Sequence, residues 1–155
     1  MTEIRPLALD ETDRVLAAGL GLARLPLQGD DLYLVAWEGD EPVGHAHLKV
    51  ADPPELGDVE VLPRHRRRGI GTALTRAAES AAEERGYERL QLTVSADKEG
   101  PQALYCGLGY VDAGIPPRRV QGTIHVRSGP LEVDDTLLTW EKRLGAVDSA
   151  PPFSS

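Results

Sequence analysis

The sequence predicts a single α/β domain, a mixed central sheet flanked by helices, on three observations. Its 155 residues, 41% of them hydrophobic, have the size and apolar content of one globular domain with its own core. Short β-prone runs are interleaved with stretches of helical periodicity rather than gathered in one half of the chain. Glycine and proline punctuate many of the junctions between them. Residues 1–145 carry the domain, and 146–155, which end in Pro151-Pro152-Phe153-Ser154-Ser155, read as a frayed tail.

Ile4 to Leu9 predicts a first strand. Asp10 or Thr12 then caps a helix that turns Val15, Leu16, Leu20 and Leu25 inward, weakened by Gly19 and Gly21. Pro26 to Asp31 is a loop, and Leu32-Tyr33-Leu34-Val35-Ala36-Trp37 is short and β-prone enough to be a strand. Glu38 to Pro42 turns into Val43–Val50, where His45 and His47 share one face and Ala46 and Leu48 the other; the two runs form a hairpin. After the Asp52-Pro53-Pro54 break, Leu56 to Leu62 alternates Val59 and Val61 with Asp58 and Glu60, as a half-buried strand does. From Gly71 to Arg85, the residues Leu74, Ala77, Ala78, Ala81 and Ala82 fall at helical spacing, with Gly86 at the C-cap. Arg89 to Val94 supplies another strand, and Gln102 to Leu108 a further helix ended by Gly109. Tyr110–Ala113, Val120–Val126 and Thr136–Lys142 complete the β structure, the last two antiparallel about a Ser128-Gly129 turn.

Charge and cysteine content narrow the function classes. With 25 acidic residues against 17 basic ones, the formal net charge of -8 disfavours nucleic acid as the bulk partner and leans towards cationic small molecules. The single cysteine, Cys106, has no disulfide partner in the chain, and its expected role is that of a small buried hydrophobe rather than a nucleophile. No window approaches the roughly 20 apolar residues of a membrane span, and the N-terminus lacks a signal-peptide stretch. The expectation is a cytoplasmic protein with no membrane partner. His45 and His47 are too sparse for a metal site, because no third ligand has recognisable spacing.

The most informative segment runs from Val59 to Thr72, a strand that passes through the turn Arg66-Arg67-Arg68-Gly69-Ile70-Gly71 into the long helix. Such a turn is an anion site. The first N–H groups of a helix have no intrahelical partner and carry partial positive charge, so a phosphate there gains hydrogen bonds and a favourable dipole together. Gly69 and Gly71 let the backbone approach a ligand without an intervening Cβ, and the arginines add charge around it. No Gly-Lys-Ser/Thr follows, which excludes a Walker loop, and Leu74 stands where a Rossmann fingerprint needs a third glycine.

Arg66-x-x-Gly69-x-Gly71, preceded by Val61-x-Pro63, resembles the fingerprint of the GNAT acetyltransferases, Gln/Arg-x-x-Gly-x-Gly/Ala. Leu104-Tyr105-Cys106-Gly107-Leu108-Gly109-Tyr110 is similar to a second pattern of that family, and the two stand in the right order. The resemblance implies a GNAT fold with a splayed pair of strands, and an enzyme that takes acetyl-CoA as co-substrate. It implies that the backbone of Val59, Glu60 and Val61 pairs with pantetheine. The turn Arg66, Arg67, Arg68, Gly69, Ile70, Gly71 and Thr72 would bind the pyrophosphate, and Tyr105 would return a proton to the departing CoA thiolate. Lys98 stands where many relatives carry an asparagine beside the cofactor, and Pro101 replaces a usual alanine.

An ammonium must lose a proton before it attacks a thioester, so a base is expected near the acceptor. By the same resemblance Glu55 is the first candidate, six residues before Val61; Glu60 is the second, because alternation puts its side chain on the opposite face from Val59 and Val61. Asp58, His45 and His47 are the other titratable groups on hand, while Asp30 and Asp31 have the position and charge to attract an amine. The implied reaction is direct acetyl transfer to a primary amine of a small molecule or peptide in a ternary complex. The alternative is a non-catalytic acyl-CoA sensor on the same fold. The 120–142 segment either lines the acceptor groove or pairs with a second subunit, which leaves a homodimer open.

Overall fold

The computed structural model describes residues 2–145, so the expected tail at 146–155 lies outside the described residues. In chain order the elements are β1 (Thr2–Pro6), α1 (Thr12–Ala17), β2 (Leu32–Glu38), β3 (Glu41–Lys49), β4 (Glu55–Val61) and α2 (Ile70–Glu84). There follow β5 (Arg89–Ser95), α3 (Glu99–Gly107), β6 (Val111–Asp112), β7 (Arg118–Val126) and β8 (Gly129–Arg143). The strands form one sheet in the order β1-β2-β3-β4-β5-β8-β6, with β7 paired along the other half of β8.

Alternation in β2 decides how the two sides of this sheet are covered. Leu34 and Ala36 point to one face and join Ala46, Leu48, Leu56 and the α2 residues Leu74, Ala78 and Ala82 in the main core. Tyr33, Val35 and Trp37 point to the other and pack with Val15, Leu20 and Leu22 from α1 and the loop after it. The helical spacing in α2 thus does what the sequence predicts, and Gly86 beyond its end takes the left-handed φ of 87°.

The sheet is antiparallel except between β4 and β5. Those strands pair in parallel at only two positions, Glu55 opposite Gln91 and Leu56 opposite Leu92, and from Gly57 onward they part. A bulge accompanies the parting: between His45 and His47 of β3 the register slips, and Asp58 adopts a left-handed φ of 47°.

Several boundaries differ from expectation for identifiable reasons. The first strand ends at Pro6, and Leu9–Glu11 forms a short 3₁₀ turn instead. The first helix is six residues long and ends before Gly19, whose φ of 108° no helix tolerates. β8 begins at Gly129, ahead of the predicted Thr136, because its first half pairs residue for residue with β7 although both lie largely in solvent. Cys106 is exposed, contrary to the buried role expected of it, because its face of α3 points away from Tyr105 and the core.

Candidate functional site

The parted strands and the first turn of α2 face the same region of the main core. Val59 and Val61 pack against that core, and Ile70 anchors the start of the helix at 4% exposure. Gly69 caps α2 in the left-handed region, at φ 78° and ψ 12°. The first backbone N–H taken up inside the helix is that of Ala73, which donates to Gly69 O at 2.9 Å. The N–H groups of the turn before it are those a helix leaves for a ligand. A Cβ at Gly69 would meet nothing within 4 Å, and one at Gly71 only Leu104 Cδ2 at 3.9 Å. Packing within the protein therefore does not call for glycine at 71.

The basic side chains of the turn are partly occupied. Arg66 Nε donates to Val61 O at 3.0 Å, Arg68 lies 3.9 Å from Glu38, and Arg64 pairs with Glu41. Arg67 is exposed and carries a left-handed φ of 65°. Beneath them His65, 7% exposed, sits 3.7 Å from both Glu38 and Glu41 and accepts Arg64 Nε at 3.2 Å. Sequence reading did not single out His65; only its burial between two glutamates shows that it seats the turn on the β2–β3 hairpin. Of the turn's arginines, Arg66 and Arg68 thus have partners within the protein, while the exposed Arg67 has none among the described residues.

Tyr105 is 8% exposed on α3 and meets Tyr110 edge to face at 5.8 Å between ring centroids. Burial pushes its phenol above the usual value, with the side-chain hydrogen bond it shares with Thr75 working in the opposite direction. Thr75 itself donates to Gly71 O at 2.8 Å, so the phenol is tied to the first turn of α2. Lys98 lies exposed at the start of α3, about two helical turns from Tyr105.

On the opposite side of the sheet the bulge in β4 gathers a polar cluster. Tyr33 Oη donates to Asp58 Oδ2 at 2.6 Å, and the N–H groups of Ala23 and Arg24 reach Asp58 Oδ2 and Tyr33 Oη at 3.1 and 2.8 Å. Burial and the Asp58 carboxylate keep the Tyr33 phenol protonated by raising its pKa far beyond the neutral range. His45, fully buried, donates from Nδ1 to Asp58 O at 2.9 Å and accepts Leu22 N–H at Nε2 at 3.1 Å. Both of its nitrogens are committed, so it holds the loop rather than acting on a ligand. Glu60 Oε1 accepts Gly21 N–H at 3.0 Å and lies 3.2 Å from His45 Nε2. Neither Asp58 as the bulge residue nor Tyr33 as its partner is visible in the sequence, because the bulge arises only when β3 and β4 pair.

Asp58 of this cluster opens onto a groove of about 770 Å³ lined by the 23–28 loop, β4 from Glu55 to Asp58, Thr93 of β5 and the end of β7. Glu55 lines it, as does Asp31, which accepts Val50 N–H at 2.9 Å and lies 3.5 Å from His47 Nε2. Asp30 is exposed in the preceding loop and does not line it. The tip of the β7–β8 hairpin closes the groove: Arg127 N–H donates to Ala23 O at 3.1 Å and Arg127 Nε to Gly21 O at 2.8 Å. The 120–142 segment is thereby placed beside the groove.

Residues 6–110 match the sequence profile of the Acetyltransferase (GNAT) family. The chain belongs to that family. This GNAT chain is 36% identical over 89 residues to N-acetyltransferase 8F1 of Mus musculus, covering 53% of its own length and 40% of that protein. It is 34% identical over 96 residues to an uncharacterized N-acetyltransferase, YsnE, of Bacillus subtilis, covering 59% and 62%. It thus spans less than two thirds of these relatives. Among solved structures its fold matches the ribosomal-protein-S18-alanine N-acetyltransferase of Escherichia coli at TM-score 0.71 and 22% identity, over 99% of this chain and 100% of that one. A GNAT acetyltransferase of Elizabethkingia anophelis solved with acetyl-CoA bound matches at TM-score 0.68 and 17% identity, over 92% and 98%. The mixed sheet and its split are those of the GNAT fold. No helix among the described residues is long and apolar enough to cross a membrane.

Proposed function

We propose that this GNAT chain transfers an acetyl group from acetyl-CoA to a primary amine of a small molecule or peptide, by direct attack in a ternary complex. The observation that carries this reading is the split between β4 and β5, which opens beside the glycine-bearing first turn of α2 and backs onto the groove on the other face. The residues present fit acetyl-CoA. The turn from Arg66 to Thr72 would take the pyrophosphate on its N–H groups, the backbone of Val59, Glu60 and Val61 would pair with pantetheine once Arg66 Nε gives up Val61 O, and Lys98 stands at the adjoining end of α3. Acetyl-CoA supplies the thioester that the amine attacks and the thiolate that leaves.

The chain's own groups manage the protons. Tyr105 Oη, held neutral by burial, donates to the departing sulfur. The carboxylate of Glu55 takes the proton from the amine, since it lines the groove beside the point where the two strands part. Glu60 is the second candidate because its carboxylate is part-exposed and borders His45, yet its hydrogen bond to Gly21 N–H already gives it a structural duty. Substitution separates the two: Glu55→Gln lowers kcat about 10²–10⁴-fold and flattens the acidic limb of the pH–rate profile, while Glu60→Gln preserves that limb. The opposite pattern assigns the base to Glu60. An acyl-CoA sensor would show neither, since it would bind acetyl-CoA without transferring the acetyl group to any amine.

A further inference from the structure

The groove beside the β4 bulge departs from the charge of the chain as a whole. Acidic residues outnumber basic ones 25 to 17 in the sequence. The groove reverses this: Arg24, Lys49, Arg118 and Arg127 line it against Asp31, Glu55 and Asp58. The carboxylates are also the more fully engaged. Asp58 is held by Tyr33 Oη and Ala23 N–H, and Asp31 by Val50 N–H and His47. The cations are not. Among the described residues no ion pair involves Arg24, Lys49, Arg118 or Arg127, and the one side-chain hydrogen bond from this group, Arg127 Nε to Gly21 O, leaves its charge uncompensated. Arg24 comes from the loop over α1, Lys49 from the end of β3, Arg118 from the start of β7 and Arg127 from the hairpin tip. Four separate segments thus bring unpaired positive charge to one cavity of an otherwise acidic protein.

We infer that the acceptor carries an anionic group beside its amine. This rests on the acetyl-transfer reading above and narrows it: Arg24, Arg118 and Arg127 receive a carboxylate or phosphate, which turns the amine towards Glu55. Guanidinium groups suit either anion because their forked donors match two oxygens at once. A polycationic acceptor would meet the unpaired arginines and be repelled.

The test uses the full chain and pairs of amines that differ only in the anion: phenylalanine against 2-phenylethylamine, and O-phosphoethanolamine against ethanolamine. Exposed ion pairs are individually weak, so their joint effect is expected at about 10-fold in kcat/KM for at least one pair. Which pair shows it distinguishes carboxylate from phosphate. Arg24→Gln and Arg118→Gln should erase most of that preference through KM for the acceptor. Neither side chain makes a hydrogen bond or ion pair within the described residues, so the fold should survive, as thermal melts would show. Equal rates within both pairs, faster acetylation of spermidine, or a preference untouched by both substitutions would overturn the inference. If no amine is acetylated, the acetyl-transfer reading fails, and the anion site is judged by titration calorimetry with N-acetylphenylalanine and N-acetyl-2-phenylethylamine. Tighter binding of the acid, or of O-phosphoethanolamine over ethanolamine, lost in Arg24→Gln, supports the site; equal binding within both pairs overturns it.

Discussion

His47 shows how a single side chain records the conditions under which the groove exists. It is 7% exposed, and burial lowers its pKa below the ordinary 6.5, with Arg24 and Lys49 adding to the effect while Asp31 and Asp58 oppose it. The unfolded chain therefore takes up a proton at this residue before the folded chain does. Stability from this group is complete above about pH 6.5 and is lost as pH falls from there towards the lowered folded value. In denaturant titrations His47→Asn should show a shallower loss of midpoint between about pH 7 and pH 5 than the parent chain; equal slopes would mean that His47 is not desolvated in the fold. The sequence marked His47 as one of two histidines on a strand face, and that placement holds. Its partners were out of reach, since Arg24 and Asp31 meet it only after the loop between α1 and β2 folds back.

Elements fix the site where residues alone do not. Gly44 of β3 lies under α2, and a Cβ there would stand 2.9 Å from Glu60 O, 3.2 Å from Leu74 Cδ1 and 3.3 Å from Ile70 Cγ2. One of those contacts is backbone, so β3 and β4 would have to separate. Gly44→Ala should cost about 1–3 kcal/mol in chemical denaturation, and a neutral result would show that α2 sits further from the sheet. Gly71 differs in kind, because the protein leaves it room. Gly71→Leu should leave the melting temperature of the free chain nearly unchanged while weakening acetyl-CoA at least about 10-fold by calorimetry. Undiminished affinity would place the pyrophosphate elsewhere.

The same contrast explains what was legible in advance. The Arg66–Gly71 turn and α2 are local features, written in a few consecutive residues, and both stand where the sequence predicts. The Asp58 bulge, His65 beneath the turn and the first half of β8 depend on strand pairing and on side chains distant in sequence. The sequence marks β7 over Val120–Val126, whereas Gly129-Pro130 and the charged Glu132, Asp134 and Asp135 obscure the first half of β8.

At the scale of the whole molecule, two cores on opposite faces of one sheet hold a split that faces α2 on one side and a polar groove on the other. Tyr105 belongs to the first side and Glu55 to the second, so acetyl transfer requires a substrate that reaches through the split between them. The net charge of -8 does not describe the groove, whose lining carries Arg24, Lys49, Arg118 and Arg127. The central claim is that this split is a place of acetyl transfer with Tyr105 as its acid. Following the acetyl label from acetyl-CoA to an amine with the parent chain and Tyr105→Phe tests it most directly. Label should appear on the amine with the parent, and its rate should fall about 10²–10⁴-fold in Tyr105→Phe at unchanged acetyl-CoA affinity. Label that never leaves bound acetyl-CoA, or a Tyr105→Phe chain that transfers it at the full rate, would contradict the account.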